Sequence, residues 1–152
     1  MTDGTYLGPS PVKPIPEGAR AAQEHAVTLW PRIRSYVAEL PALDRIFLVG
    51  AGGSYSGVQA ARYVLDRHSA VPATSVNSDE FYYRASPLVG PGALVVTLSA
   101  AGNTPETVRA ASWAHDRGAA VVAVTLNADG PLAGAIETSF ISQSGDGNQI
   151  VL

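Results

Sequence analysis

The sequence predicts an α/β fold, a three-layer α/β/α sandwich around a five-stranded parallel sheet, and three observations carry that prediction. Short apolar runs rich in β-branched residues recur along the chain, as RIFLVG (45–50), ALVV (93–96) and AAVVAV (119–124). Between them lie segments whose apolar residues fall at three- and four-residue steps. Two of the runs lead into Gly- and Ser-rich stretches, VGAGGSYSG (49–57) and LSAAGNTPET (98–107). Strands that alternate with helices are joined by crossovers, so the sheet is parallel and covered on both faces.

The elements follow in order. Residues 1–16 contain Pro9, Pro11, Pro14 and Pro16, a spacing that favours an extended arm. Residues 17–41 form a helical segment: Ala22, Ala26, Leu29, Ile33, Tyr36, Val37 and Leu40 share the helical period. Pro31 interrupts it with a kink or a break into two helices, and Pro41 ends it. From there to residue 152 the α/β pattern runs. RIFLVG is the first strand, and 54–69 a helix with Val58, Ala61, Val64 and Leu65 on one face. ATSVNS (73–78) is the second strand, DEFYYRAS (79–86) a short helical turn, and ALVVTLS (93–99) the third strand. Residues 105–118 form a helix, AVVAVTLN (120–127) the fourth strand, PLAGAI (131–136) one helical turn and TSFIS (138–142) the fifth strand. No helix follows, so the last strand is expected to be covered by a partner or by further chain.

Composition narrows the function classes. With 152 residues, 46% hydrophobic and 15% charged, the chain has the makings of one ordinary domain with a real core. Ten Lys+Arg face thirteen Asp+Glu, and Lys13 is the single lysine. Nothing there supplies the basic face that nucleic acid requires. The apolar runs are too short to span a bilayer, and MTDGTYLGPS has no signal-peptide pattern. These features point to a cytoplasmic protein. There is no cysteine, which excludes disulfides, thiolate zinc sites and a cysteine nucleophile. His25, His68 and His115 are scattered without metal-ligand spacing, so no metal is expected, and no residue suggests a cofactor.

Chemistry is expected at the carboxyl ends of the strands, where open parallel sheets bind ligands. Small residues let backbone N–H groups approach a ligand, and the helix that follows adds free N–H donors and a positive dipole end. Ser54, Ser56, Ser99 and Thr104 supply hydroxyls. Thr104 suits a helix N-cap with Pro105 at the first helical position. Together the two loops fit a phosphate cradle built without lysine or arginine.

These residues also carry a resemblance. RIFLVGAGGSYSGVQAARYVL, VNSDEFYYR, VVTLSAAGNTPETVRAASWAHDRGAAVVAVTLN and, in part, GPLA (130–133) resemble in register the motifs of the SIS (sugar isomerase) domain family. The chain is similar to the first SIS domain of glucosamine-6-phosphate synthase isomerase halves and of fructosamine deglycases. The resemblance implies a SIS domain over 42–152 with a flavodoxin- or Rossmann-like order, lacking its last helix or a second SIS domain. It implies a phosphorylated sugar as ligand and a homodimer or a second SIS domain as partner. Carried over by position, the phosphate- and sugar-binding residues are Gly53, Ser54, Ser99, Ala100, Ala101, Gly102, Asn103, Thr104 and Thr107. At Ala101 the family usually has a second serine; one donor fewer to a charged acceptor costs about 1.5–3 kcal/mol.

The family reaction, aldose–ketose isomerisation or cleavage of a sugar–amine adduct, needs a carboxylate that moves a proton next to a carbonyl. The family tends to have a glutamate near the last loop. Here that stretch reads GDGNQIVL, with Asp146 and Gln149, and a glutamine is no base, so no catalytic residue is assigned. Isomerase, deglycase and non-catalytic phosphosugar sensor all fit these residues. A dinucleotide-binding oxidoreductase fits less well, because Tyr55 stands where Gly-x-Gly-x-x-Gly needs its third glycine. Asp79, Glu80 and Glu106 read as helix N-terminal charges, and Trp30, Trp113, Tyr82 and Tyr83 as packing or interface residues. Arg84 has Asp79, Glu80 or a neighbouring subunit within its options.

Overall fold

The computed structural model describes residues 17–143; the expected arm (1–16) and the stretch with Asp146 and Gln149 lie outside them. In chain order the elements are α1 (Glu17–Thr28), α2 (Trp30–Glu39), β1 (Arg45–Gly50), α3 (Gly53–His68), β2 (Ala73–Asn77), α4 (Ser78–Arg84), β3 (Ala93–Leu98), α5 (Pro105–Asp116), β4 (Ala120–Thr125), α6 (Pro131–Ala135) and β5 (Thr138–Ile141). The strands form one all-parallel sheet in the order β2-β1-β3-β4-β5. The winding direction reverses between β1 and β3, where sheets of this order open a ligand crevice.

Continuous apolar strands are what a sheet covered on both sides requires. Alternate residues feed two cores. On one side Phe47, Val49, Val95, Val121 and Ala123 meet Phe81 of α4, Ala110, Ala111 and Ala114 of α5 and Leu132 of α6. The alanines let α5 lie close on the sheet. On the other side Ile46, Leu48, Leu94, Val122 and Phe140 meet Val58 and Leu65 of α3 and Leu29, Ile33 and Tyr36 of the N-terminal helices. Burying one such aliphatic side chain contributes about 1.5–3 kcal/mol.

Local chemistry sets the helix ends. Pro31 has no N–H to donate, and the break between α1 and α2 falls at Leu29, whose dihedrals stay helical (φ −78°, ψ −18°). The chain thus passes from α1 to α2 through a single residue, and the expected break at Pro31 takes the form of two helices. The Asn77 side chain accepts from the Asp79 N–H at 3.1 Å and caps α4, which ends on Ala85 in the left-handed region (φ 45°). Gly118 (φ 81°) closes α5, with its N–H on the His115 carbonyl at 2.8 Å.

The expectation of an uncovered last strand needs correction. The N-terminal helices lie over β5. Tyr36 meets Phe140 edge to face with ring centroids 6.2 Å apart, the Arg32 guanidinium sits 5.0 Å over the Phe140 ring, and His25 Nε2 is 3.1 Å from the Ile141 carbonyl. The period of 17–40 shows an apolar face but not which part of the sheet it meets. The cover is incomplete: a cavity of about 290 Å³ is left between α2 and the sheet, walled by Leu29, Ile33 and Val37 above and Val96, Val122 and Val124 below.

Candidate functional site

Strand register sets Gly50 beside Leu98, so the loops after β1 and β3 leave the sheet edge side by side at the reversal. Gly50 must be glycine because a Cβ there would stand 2.9 Å from the Ser54 backbone carbon, where α3 turns back across the strand end. Gly52 follows at φ 55°. Gly53 and Ser54 thus form the first turn of α3, with Ser54 half-buried.

The second loop is held from behind. Ser99 donates its N–H to Val124 at 3.1 Å. The Ala100 carbonyl accepts from the Leu126 N–H at 3.0 Å and from the Thr125 hydroxyl at 3.3 Å. The Ala101 carbonyl accepts from Asn127 Nδ2 at 3.4 Å, and the Gly102 carbonyl from the Leu132 N–H at 2.8 Å. Gly102 itself has φ 68°, and a Cβ there would fall 2.8 Å from Thr125 Oγ1. Its N–H folds back onto Ser99, 3.1 Å from the carbonyl and 3.2 Å from the hydroxyl. With the carbonyls engaged, the N–H groups of Ala100, Ala101, Asn103 and Thr104 meet no acceptor among the described residues. They sit where α5 begins, with Pro105 in its first turn and the positive end of the helix behind them.

The hydroxyls take different roles. Thr104 stands at the N-cap position of α5, where its carbonyl accepts from the helix but its hydroxyl makes no cap bond; its Oγ1 is 2.9 Å from Oγ of the buried Ser99. Thr107 is fully buried, and its Oγ1 lies 2.8 Å from Ser78 Oγ, tying α5 to α4. Of the residues carried over from the resemblance, Ser99–Thr104 form one continuous loop, Gly53 and Ser54 the neighbouring turn, and Thr107 the buried contact behind. Thr125 and Asn127, at and just beyond the end of β4, and Leu132 of α6 shape the loop and are not singled out as site residues in the sequence. The partial GPLA match (130–133) is the nearest signal, and it has a physical reason: a Cβ on Gly130 would stand 3.1 Å from the Gly102 carbonyl.

The two acidic groups that follow β2 are engaged. Asp79 pairs with Arg109, and Glu80 with Arg84 at 3.0 Å, which settles the partner of Arg84. Arg109 also lies over Tyr82 (4.8 Å) and Tyr83 (5.3 Å). Desolvation is the largest single influence and opposes its charge, but the bond to Asp79 and the charge interactions with Tyr83, Asp79 and Tyr82 together outweigh it and hold the guanidinium above its ordinary range. It is a fixed cation. Among the described residues no group of three His, Cys, Asp or Glu could hold a metal, and no helix is long and apolar enough to cross a membrane. Tyr55, at the position of the third dinucleotide glycine, is half-buried against the sheet.

A model of the SIS domain family matches residues 40–146. Among solved structures, a candidate phosphosugar isomerase from Bacillus subtilis is 30% identical with a TM-score of 0.67, over 86% of this chain and 38% of that one. A candidate phosphosugar isomerase from Salmonella typhimurium is 30% identical with a TM-score of 0.71, over the same shares. The tagatose-6-phosphate ketose/aldose isomerase of Escherichia coli shares the fold at 22% identity and a TM-score of 0.65, over 82% of this chain and 37% of that one. The chain thus spans 38% of the length of the first two. A search of curated proteins gave no match.

Proposed function

The chain belongs to the SIS domain family, and from that membership we propose that it binds the phosphate of a phosphorylated sugar in the loop Ser99–Thr104, with Gly53 and Ser54 reaching the same ligand from the neighbouring turn. The observation that carries this reading is the set of loop N–H groups without an acceptor at the start of α5, in front of a wall of engaged carbonyls. A dianion is what such a cradle lacks. The two solved structures at 30% identity, both described as candidate phosphosugar isomerases, support the choice of ligand. In this reading residues 42–152 are the binding domain, working in the cytoplasm beside a second copy or a second domain of the same family. The whole protein is an isomerase or a deglycase of sugar phosphates, and needs neither metal nor cofactor for binding.

A second reading, a phosphosugar sensor without catalysis, is favoured by one observation. Both carboxylates that follow β2, Asp79 and Glu80, are committed to arginines rather than available as bases.

Melting temperature in the presence of fructose 6-phosphate, and separately of fructose, tests the proposal. Ligand at a hundred times its Kd stabilises by about 2.7 kcal/mol, roughly 5–11 °C for a chain of this size. The phosphate is expected to give the shift and fructose none. Equal shifts, or no shift with the phosphate, overturn it. Chromatography of the bound sugar then separates enzyme from sensor: an isomerised or cleaved product sinks the sensor.

A further inference from the structure

We propose that the hollow at the amino ends of β1 and β3 binds an acidic amino acid, through its two carboxylates and its ammonium group. The inference is independent of the phosphate reading. The hollow has a volume of about 600 Å³ and lies between Asp44, Arg45, the turns over 87–92 and Arg117. Arg45 and Ala93 are register partners and open their strands, whereas the Ser99–Thr104 loop leaves β3 at its far end. The six residues of β3, roughly 20 Å of strand, separate the two places.

The turns follow from the sequence. After α4 the chain reads SPLVGPG (86–92), with two prolines that have no N–H and two glycines. The Ser86 carbonyl accepts from the Val89 N–H at 3.1 Å and the Gly90 carbonyl from the Ala93 N–H at 3.0 Å, which closes two turns in succession. The N–H groups of Gly90 and Gly92, both in the wall of the hollow, meet no acceptor among the described residues. The Gly92 carbonyl accepts from the Asp44 N–H at 2.8 Å, and a Cβ on Gly92 would stand 2.6 Å from Asp44 Oδ2. The absent side chain therefore lets the Asp44 carboxylate lie against the turn.

Three charged side chains line the hollow, and none has a counter-charge: Asp44, Arg45 and Arg117 form no ion pair among the described residues. Arg117 is already oriented. Its Nε donates to the Val89 carbonyl at 3.2 Å and its guanidinium lies 4.9 Å over the Trp113 ring, while its two terminal nitrogens have no partner among the described residues. Arg45 is half-buried at the start of β1.

This chemistry selects the ligand. A guanidinium takes a carboxylate through paired N–H bonds, so two guanidiniums suit two carboxylates, with the glycine N–H groups as further donors. A phosphate or a plain dicarboxylate would leave Asp44 facing an anion. An ammonium group on the same ligand turns that repulsion into an ion pair. An acidic amino acid carries both kinds of group, and its single net negative charge matches the single positive excess of Arg45, Arg117 and Asp44. The volume lies within the range of small-molecule sites.

Calorimetric titration of the 152-residue chain with L-glutamate and L-aspartate tests this. Glutarate, which lacks the ammonium, and 4-aminobutyrate, which lacks one carboxylate, are the comparisons. At least one of the two amino acids is expected to bind saturably, and both comparisons at least roughly tenfold more weakly. Arg45→Gln and Arg117→Gln are each expected to weaken the amino acid roughly 10- to 100-fold. Arg117→Gln also loses the contact with Trp113, so Asp44→Asn, at an exposed side chain, carries the test if that variant fails to fold. Asp44→Asn is expected to weaken the amino acid roughly tenfold and to tighten glutarate. In isotope-labelled protein the amide signals of Gly90 and Gly92 should move on addition of the amino acid while that of Gly102 stays. No binding of either amino acid at millimolar concentration overturns the proposal. So does glutarate binding as tightly as the amino acid, tighter amino-acid binding by Asp44→Asn, or signals that move at Gly102 and not at Gly90 and Gly92.

Discussion

Gly102→Ala tests the construction of the loop directly. The backbone there is left-handed, φ 68°, which costs a residue with a Cβ about 1–2 kcal/mol. The new methyl would also sit 2.8 Å from Thr125 Oγ1. That hydroxyl must swing away, and with it go two bonds: the one to the Ala100 carbonyl (3.3 Å) and the one from the Asn127 N–H (3.1 Å). At about 0.5–1.5 kcal/mol each, they bring the total to about 3 kcal/mol, or roughly 6–12 °C of melting temperature. Differential scanning calorimetry measures it. Gly134→Ala is the control: nothing lies within 4 Å of a Cβ there, and alanine in α6 is expected to be neutral or slightly stabilising. In a Thr125→Ala background the clash and both bonds are already gone, so Gly102→Ala should then cost only the backbone part. Two results would refute the reasoning: a Gly102→Ala loss no larger than that of the control, or strict additivity with Thr125→Ala.

Three more outcomes are expected. Ala101→Ser supplies the hydroxyl donor that this loop lacks and should tighten sugar-phosphate binding roughly 10- to 100-fold by calorimetric titration; unchanged affinity would place the phosphate away from residue 101. Ser78→Ala or Thr107→Val alone strands one buried hydroxyl and should cost about 1–3 kcal/mol, while the double variant recovers much of it in a denaturation cycle. Burial, with a smaller contribution from Glu137 and against the hydrogen bond with Thr138, raises the Tyr36 phenol above its ordinary value. The fold therefore favours the neutral phenol. Its stabilisation is fully present below about pH 10 and is lost as pH climbs through the raised value. An ultraviolet titration should show one late tyrosine that Tyr36→Phe removes, with a shallower alkaline decline of the melting temperature.

What the sequence discloses and what it hides divide along chain distance. The strands are legible because burial on both faces writes itself as unbroken Val, Leu and Ala, and the start of α5 because Thr104 and Pro105 belong at a helix entrance. The Ser78–Thr107 pair is not legible: the two residues are 29 positions apart, and no period links them. The same holds for Thr125 and Asn127, whose work on the loop becomes apparent only once β3 and β4 lie side by side. Thr104 is a caution of a different kind. Its residue type identifies the cap position, yet its hydroxyl turns to Ser99 instead of to the helix.

The loop carbonyls of Ala100, Ala101 and Gly102 all face backward into bonds, and residues 99–104 include no lysine or arginine. A cradle of that kind recognises charge without owning any. Its pull has the short reach of aligned dipoles, so added salt should weaken it far less than it weakens a lysine or arginine clamp. On the function proposed above it would exert no long-range steering either: in a chain of net charge −3 an anion would arrive by diffusion, against a faint repulsion, and be held only on contact.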